Sequence, residues 1–262
     1  MPIAATAVTR SARAAWFACA LGCLAVSSAH AQFSLEAGVE QFDWREHTTP
    51  IAVHESGPRY FGGAGFMQPK ERGILFAYRG TVYGGSVDYS GSFQFDATRA
   101  ASGASNYVGT AQSIEARWRW PGSADALAGV DLDIWNRQLS TTQEEKYRVV
   151  SLRLGVERVA RAASRVTAGA GMRFLVATHE GATIDEAGVT YQLSLTPGLG
   201  ANPFAHAGYR LVSHVLVLGD WDGMSLGRSN QIALLKRGRP RAFVSQPDTD
   251  VTRLGVRIAY AW

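Results

Sequence analysis

Two pairs of aspartates have a spacing that could support acid–base catalysis. Asp131 and Asp133 flank a single residue, so a β-strand would place both carboxylates on one face. Asp220 and Asp222 have the same spacing. The segment around Asp133 also carries several arginines, which makes a structural ion pair the simpler interpretation.

The histidines and cysteines do not predict a metal site or a nucleophile. His206 and His214 share strand parity but lie roughly 26 Å apart along an extended strand, so they cannot bind one ion together. Ser213 is adjacent to His214, and a strand would point the two side chains to opposite faces. Cys19 and Cys23 both precede the predicted mature start. The sequence therefore predicts no catalytic residue, no metal and no cofactor.

Charged side chains recur at alternate positions in several segments. By parity, the residues assigned to the inside of a closed sheet are Glu36, Glu40, Arg79, Glu115, Arg117, Arg119, Asp131, Asp133, Arg137, Arg153, Glu157, Arg173, His206, Arg210, His214, Arg253 and Arg257. Arginine outnumbers the carboxylates in this set, and its planar fork can hold carboxylates bidentately. Two interpretations stay open: an ion-pair network that fills a narrow lumen, or a water-filled path that favours small anions.

The clearest strand is the last segment of the chain. Large apolar residues occupy every second position there, namely Leu254, Val256, Ile258, Tyr260 and Trp262. A period of two places them on one face and the intervening Arg253 and Arg257 on the other. The same alternation recurs in residues 114–120, 130–134, 150–157, 166–176 and 189–195. The sequence therefore predicts an all-β chain.

The N-terminal residues predict an exported protein. Basic residues precede an apolar stretch, Ala14 to Val26, that is too short to span a bilayer as a helix. Small residues then form a cleavage site, so we place cleavage after Ala31 and a single domain at residues 32–262. The formal net charge of the 262-residue chain is +4, and two of those charges lie in the signal peptide. A strongly basic nucleic-acid binder is therefore not indicated.

The end of the chain resembles the C-terminal signature of bacterial outer-membrane β-barrels. The resemblance rests on the alternating apolar residues that include Tyr260 and on the terminal aromatic residue, Trp262. In that family this segment is recognised by the barrel assembly machinery, which the resemblance implies as a partner together with outer-membrane lipid. More broadly, the chain resembles the small barrels that include the opacity, OmpA-type and porin-like proteins.

The predicted connections sort into short turns and longer loops. The turns fall at residues 68–73, 121–126, 160–165 and 197–203. The loops fall at residues 46–58, 91–106, 140–147, 179–187 and 221–248. Short periplasmic turns that alternate with longer external loops predict a transmembrane antiparallel up-and-down barrel of about ten strands, with eight or twelve as alternatives. Phe33, Trp118 and Trp120 lie near the predicted periplasmic ends, where an aromatic girdle is expected.

Three structural questions stay open at this point. Phe42 and Trp44 share the parity of Glu36 and Glu40, so they either face the lumen or follow a bulge that reverses the register. The last loop is long enough to contain another hairpin. A soluble periplasmic β-sandwich also remains, because alternation alone does not distinguish water from lipid on the outer face.

The last loop is the most distinctive exposed segment. Its basic residues are Arg228, Lys236, Arg237, Arg239 and Arg241, and they surround an apolar stretch at residues 232–235. Lipopolysaccharide phosphate is the partner expected from electrostatics, and contact with a receptor or matrix is the alternative. The sequence predicts no oligomeric state.

Some outer-membrane barrels are enzymes, but this sequence does not contain the patterns of catalytic residues that those enzymes use. The ten-stranded omptin proteases combine an aspartate pair with an Asp-x-His pair near the extracellular rim, and neither aspartate pair here has that second element. Barrel phospholipases and lipid A deacylases need a His and a Ser placed for acyl transfer. We therefore predict a non-enzymatic barrel with a structural or surface-interaction role and a charged, largely plugged lumen. A narrow channel for small solutes, including anions, is the alternative.

Overall fold

The computed structural model describes residues 32–70, 72–93, 96–120, 124–158, 165–186, 189–236 and 239–262. The predicted signal peptide, residues 1–31, lies outside these ranges, as do Arg237 and the side chains of Lys236, Arg239 and Arg241. Nearly all of the described chain is β-strand. Within these ranges, no helix has the length and the apolar composition needed to cross a membrane.

The strands follow one another along the described chain with short connections. They are β1 (Gln32–Glu46), β2 (Val53–Met67), β3 (Gly73–Phe93), β4 (Asp96–Arg119), β5 (Asp125–Ser140), β6 (Gln143–Arg158), β7 (Val166–Glu186), β8 (Val189–Leu195), β9 (Ala201–Val212), β10 (Val215–Leu226), β11 (Ile232–Lys236), β12 (Arg239–Val244) and β13 (Thr249–Ala261). The all-β prediction is confirmed.

Ten of these strands close into one antiparallel barrel. Strands β1 to β7, β9, β10 and β13 pair in that order, and β13 pairs with both β10 and β1, so the sheet has no free edge in its barrel. The two chain ends meet, because the Phe33 amide donates to the Trp262 carbonyl at 3.3 Å and the Trp262 amide donates back at 3.1 Å. We call this side of the barrel the turn end and the opposite side the loop end.

Three further strands lie at the loop end and do not belong to the barrel wall. Strand β8 pairs with the outer part of β7, from Glu180 to Glu186. Strands β11 and β12 form a separate hairpin between β10 and β13. The last loop therefore does contain an additional hairpin.

The predicted number of ten strands is confirmed, although two of the predicted strands are placed differently. Residues 197–203 were predicted as a periplasmic turn, but residues 196–200 instead join β8 to β9 at the loop end, and residues 201–203 begin β9. The turn between β9 and β10 is formed by Ser213 and His214, in the middle of what was predicted as one strand. Strand β8 is too short to cross a bilayer and is not part of the barrel wall. The segment predicted as one strand after it forms two barrel strands, β9 and β10, so the total remains ten.

The loop-end strands are longer than predicted. Most of residues 91–106, predicted as a loop, belongs to β3 and β4, which remain paired from Gly73–Arg119 to Phe93–Asp96. Residues 141–142 alone separate β5 from β6. Polar composition had indicated loops here, whereas the sheet continues beyond the apolar part of its outer surface. The barrel wall therefore projects well past the membrane at its loop end.

The outer surface carries a continuous apolar band. On β13 the outward side chains of Leu254, Val256 and Ile258 are 59%, 55% and 58% exposed. A water-soluble protein rarely exposes so large an apolar surface, whereas lipid solvates it. On β1 the outward residues become polar from Gln41 onward, which marks the loop-end boundary of the band. One closed sheet with this surface also replaces the alternative of a two-sheet sandwich.

Aromatic side chains form a girdle near the turn end. Phe33 stacks on Trp262 with ring centroids 6.3 Å apart, and Trp118 stacks on Trp120 at 6.0 Å. Tyr260 lies beside Trp262 at 5.9 Å. Amphipathic rings favour the interface between hydrocarbon and headgroups, so this girdle indicates the second boundary of the band.

Candidate functional site in the barrel lumen

The half of the lumen nearer the turn end contains a cavity of about 930 Å³, which we call the vestibule. Its walls include the charged residues that the sequence predicted to face the lumen, except Arg137: Glu36, Glu40, Arg79, Glu115, Arg117, Arg119, Asp131, Asp133, Arg153, Glu157, Arg173, Arg210, Arg253 and Arg257. Strand parity brings them together because alternate side chains of every barrel strand point inward. Gln32, Arg72 and His214 line the vestibule at the turn end.

The arginines of the vestibule bridge carboxylates on β4, β5 and β6. Arg117 on β4 contacts Glu115 at 2.8 Å and Glu157 at 2.9 Å. Arg153 on β6 contacts Glu115 and Asp131, both at 2.7 Å. Each guanidinium therefore joins two carboxylates, which is the arrangement that best offsets the desolvation of charge inside a protein.

A second set of ion pairs crosses the lumen. Arg173 joins Asp131 at 3.0 Å to Asp222 at 2.7 Å, and Arg253 contacts Asp133 at 3.0 Å. These contacts link β5, β7, β10 and β13 across the barrel. Both aspartate pairs are thus involved, and their carboxylates are held by arginines rather than left free to activate water.

A third set lies where the two ends of the barrel wall meet. Arg257 contacts Glu36 at 3.3 Å and Asp220 at 2.9 Å, and Arg79 contacts Glu36 at 2.6 Å. Glu36 and Arg257 stand on β1 and β13, so this set also connects the closing strand pair.

The arginine excess expected in the lumen is not found among the described residues. Further inward carboxylates are Glu46, Glu55, Asp125, Glu145, Glu180, Asp220 and Asp222, against one further arginine, Arg59. Most of them fall in segments predicted as loops or turns, so parity was not applied to them. With these residues the inward carboxylates outnumber the inward arginines, which removes the sequence-based reason to expect anion preference.

The lumen nearer the loop end is filled by aromatic rings. The aromatic layer, as we call it, consists of Phe42, Trp44, Tyr83, Tyr107, Trp135 and Tyr147. Trp44 is 0% exposed and Tyr147 is 1% exposed. Phe42 and Trp44 therefore face the lumen without a bulge, which settles the question left open by their parity. The inward parity of Trp135 with Asp133 was the sequence signal that could have predicted the layer.

Close ring contacts hold this layer together. Trp135 stacks on Tyr147 with ring centroids 4.8 Å apart and planes 9° from parallel. Phe42 packs against Tyr107 at 4.8 Å, and Trp44 meets Tyr147 edge-on at 5.5 Å. Such pairs contribute about 0.5–1.5 kcal/mol each beyond the burial of their area.

Two buried arginines are embedded in the layer. The Arg59 guanidinium lies 3.8 Å from the centre of the Phe42 ring and pairs with Glu40. The Arg137 guanidinium lies 4.6 Å from the Trp44 ring. A cation over an aromatic face is attracted most strongly where water is excluded, so the rings and the charges stabilise each other.

Arg137 is surrounded by carboxylates. It contacts Glu46 and Glu55 at 2.7 Å and Glu145 at 2.8 Å. Glu180 lies opposite Tyr147 in the β6–β7 pairing and faces the same interior. We call Arg137, Glu46, Glu55, Glu145 and Glu180 the Arg137 cluster.

The hairpin at the loop end has two different faces. Its inner face packs Leu234 against Ile184, Tyr191 and Leu193 of β7 and β8. On the outer face Leu235 and Phe243 are 54% and 67% exposed. Arg228 precedes the hairpin and lies 3.7 Å from Asp248.

The histidines and the serine considered as catalytic or metal-binding residues lie apart in the structure. Ser213 and His214 form the β9–β10 turn, and His206 lies 3.6 Å from Glu157 in the vestibule. In the ranges that the structure covers, no three His, Cys, Asp or Glu side chains form a metal-binding group. The outward residues of β13 from Leu254 to Trp262 lie on the apolar band.

Comparison with known proteins gives a match in structure. No family model matches the sequence, and no curated protein is significantly similar to it. The outer membrane protease OmpT from Escherichia coli has a TM-score of 0.53 and 7% identity, covering 90% of this chain and 98% of the protease. Identity this low relates the folds and not the activities.

Two further solved structures match at lower similarity. Neisserial surface protein A has a TM-score of 0.38 and 10% identity, over 87% of this chain and 96% of its own. Ail, the attachment invasion locus protein of Yersinia pestis, has a TM-score of 0.35 and 11% identity, over 89% and 99%. The protease comparison, the closed ten-stranded sheet and the apolar band agree: this chain has the fold of the bacterial outer-membrane β-barrel proteins.

Proposed function

We propose that this chain is an integral protein of the bacterial outer membrane whose lumen is closed to ions and solutes. It would be exported with residues 1–31 as a cleaved signal peptide. Its role would be structural or in surface interaction, without enzymatic activity. The single observation that carries the proposal is the aromatic layer, which lies across the lumen with its rings almost completely buried.

The layer supports closure because a conducting path needs water along its whole length. Phe42, Tyr107 and Trp135 are only 2–4% exposed, so water has almost no access to them from either end. The charges within the layer are held by Glu40 and by the Arg137 cluster. An ion that crossed here would have to separate stacked rings and break buried ion pairs, and breaking one such pair costs about 3–5 kcal/mol.

A narrow channel remains the second candidate, favoured by the vestibule alone. This cavity is large enough for a small molecule, since ligand pockets commonly measure roughly 300–1,000 Å³. It reaches from the turn end to Tyr83, Val149 and Met224, which belong to the buried core of the layer. Conduction would require the layer to move.

The absence of enzymatic activity is proposed from the state of the aspartates. Asp131 and Asp222 share Arg173, and Asp133 pairs with Arg253, so the carboxylates already have strong partners. They also lie inside the lumen below the aromatic layer, away from the extracellular rim where the omptin proteases hold theirs.

Surface interaction is proposed for the loop-end hairpin. The sequence from Gly223 to Pro247 contains no acidic residue and includes Arg228, Lys236, Arg237, Arg239 and Arg241. Basic charge next to the exposed Leu235 and Phe243 suits an anionic amphiphile such as lipopolysaccharide. Recognition of β13 by the barrel assembly machinery is likewise proposed from its outward residues up to Trp262.

Planar-bilayer conductance of refolded residues 32–262 tests closure. We expect no ion current from the wild type at pH 6. A Trp135→Ala variant, which removes a ring from the layer, should show current steps, whereas Trp118→Ala on the lipid face should remain silent. Steady current from the wild type, with heat-modifiable gel mobility showing that it is folded, would contradict the proposal.

Binding to lipopolysaccharide-containing vesicles tests the hairpin. We expect a variant with Lys236, Arg237, Arg239 and Arg241 changed to Ser to bind up to about a thousandfold more weakly, since each basic residue near an anionic surface contributes about 1 kcal/mol. Changing Lys146 and Arg148, which lie on the outer face of β6, is the control. Equal loss in both variants would argue against a hairpin-specific contact.

A further inference from the structure

We infer that the Arg137 cluster is a proton-controlled latch: it holds the aromatic layer closed while one of its carboxyls carries a proton, and it loosens the layer when that proton is lost. The inference rests on the proposed closure of the lumen. It deepens that proposal by naming the group that regulates it.

The charge of the cluster is unbalanced. One guanidinium faces four carboxylates, and the contacts of Glu46, Glu55 and Glu145 all converge on it. Glu55 is 0% exposed and Glu145 is 7% exposed. Uncompensated negative charge in such a place is costly, so one or more of the four carboxyls should be neutral in the closed barrel.

Glu180 is the carboxyl best placed to hold the proton. Its side chain is 2% exposed, and its Oε2 atom is buried without a hydrogen-bond partner. An ionised oxygen would be unsatisfied there, whereas a protonated carboxyl leaves no charge to solvate. Glu180 also lies beyond the apolar band, where the outward neighbours on β7 and β6 are His179 and Arg148.

The strands packed around the cluster contribute polar and titratable groups that interact with its carboxylates. They are Glu46 from β1, Glu55 from β2, Tyr89 from β3, Ser105 and Tyr107 from β4, Arg137 from β5, Glu145 and Tyr147 from β6, and Gln246 before β13. Arg137 is the cation among them. The tyrosine hydroxyls act as donors, as Tyr107 does to Glu55 and Tyr147 does to Glu145.

A proton fits this place better than a metal ion. A divalent cation needs several carboxylate oxygens around one point, and the described side chains form no such group. The Arg137 guanidinium instead occupies the position between Glu46, Glu55 and Glu145. That guanidinium and the Tyr147 hydroxyl offset only part of the charge of Glu180, and a proton neutralises the rest.

The direction of the pH dependence follows from these surroundings. Burial and the neighbouring Glu145 raise the pKa of Glu180 to about 9. Because this value lies above the ordinary one of 4.5, the folded barrel binds the proton more tightly than the unfolded chain does. The stabilisation is complete below pH 4.5 and is lost as the pH rises through about 9. The latch therefore opens on the alkaline side.

Conductance between pH 6 and pH 10 tests the latch on the folded protein. We expect the wild type to be silent at pH 6 and to show current steps as the pH passes about 9. Glu180→Gln, which mimics the protonated carboxyl, should stay silent or open at a pH higher by about one unit or more. Glu144→Gln, at a half-exposed carboxylate on the neighbouring strand β6, should open like the wild type.

The outcomes separate the latch from the proposed closure. Silence at pH 6 and pH 10 in the wild type would overturn the latch and leave closure standing. Current at pH 6 would contradict closure itself. Where Glu180→Gln does not refold, quenching of tryptophan fluorescence by acrylamide in the wild type provides the second readout. A rise in quenching near pH 9 supports the latch, and an unchanged signal overturns it.

Discussion

The two halves of the lumen stabilise their inward-facing charges in different ways. In the vestibule, Arg117 and Arg153 pair with carboxylates along the wall of a cavity that water can enter. In the aromatic layer, Arg59 and Arg137 are 2% and 1% exposed and lie against rings as well as carboxylates. Charge density alone therefore does not determine whether a barrel is closed. The aromatic residues that share the inward face decide it.

The largest effect is expected from removing the guanidinium of the layer. Arg137→Met leaves the buried Glu46, Glu55 and Glu145 without their cation, and it should lower the free energy of unfolding by about 4 kcal/mol. Urea unfolding in detergent micelles measures the loss. Arg117→Met in the vestibule should cost clearly less, because water can solvate its partners, and equal losses would contradict the distinction.

A matched pair of phenylalanines gives the next largest difference. Phe42→Ala empties a site in the layer and should cost about 3–4 kcal/mol in unfolding free energy, since no water is at hand to fill it. Phe204 lines the vestibule and lies 5.4 Å from the Arg153 guanidinium. Its replacement by Ala only widens an existing cavity and should cost about half as much. Equal losses in the same unfolding measurement would contradict the difference in packing between the layer and the vestibule.

A smaller effect is expected from Arg153 in the vestibule. Arg153→Ala removes contacts to Glu115 and Asp131 that water can replace, and it should cost about 1–2 kcal/mol without opening the lumen. Conductance of this variant at pH 6 should remain absent. Current that changes in ion preference would instead make the vestibule arginines part of a conducting path.

The smallest effect is expected outside both halves, at the exposed loop-end surface. A hydrogen bond from Ser225, together with His47, lowers the pKa of Asp250. This pair therefore adds stability above the ordinary carboxyl pKa of 3.8 and loses it as the pH falls further. Because Asp250 is largely exposed, Asp250→Asn should change the unfolding free energy at pH 7 by less than about 0.5 kcal/mol. A larger change in the unfolding free energy, measured with denaturant, would contradict this small contribution of the exposed surface to stability.

The sequence predicted the barrel because its strongest signals are local. The alternation of Leu254 to Trp262 and the inward parity of Arg117 and Asp131 depend only on the period of a strand, and both match the fold. The count of ten survived because two errors cancel: β8 was counted as a barrel strand, while β9 and β10 were counted together as one strand. The turn at Ser213 and His214 carries neither Gly nor Pro, so no local signal marks it in the sequence.

The candidate site was harder to predict because it depends on contacts between distant strands. Glu55 and Glu145 fall in polar segments that resemble loops, although both lie on strands that project beyond the membrane. Their inward orientation, and so the balance of charge, follows from the length of the sheet and not from local composition. The stacking of Trp135 on Tyr147 is likewise a matter of register between β5 and β6.

Accessibility of a single cysteine below the layer tests whether the lumen is closed. Residues 32–262 contain no cysteine, and Ala111 faces the vestibule beside the aromatic layer. In oriented vesicles at pH 6, a membrane-impermeant thiol reagent should label Ala111→Cys from the turn end only, while Ser140→Cys at the loop end is labelled from the opposite side. Labelling of Ala111→Cys from the loop end would show that water and reagent pass the layer, and it would contradict a closed barrel.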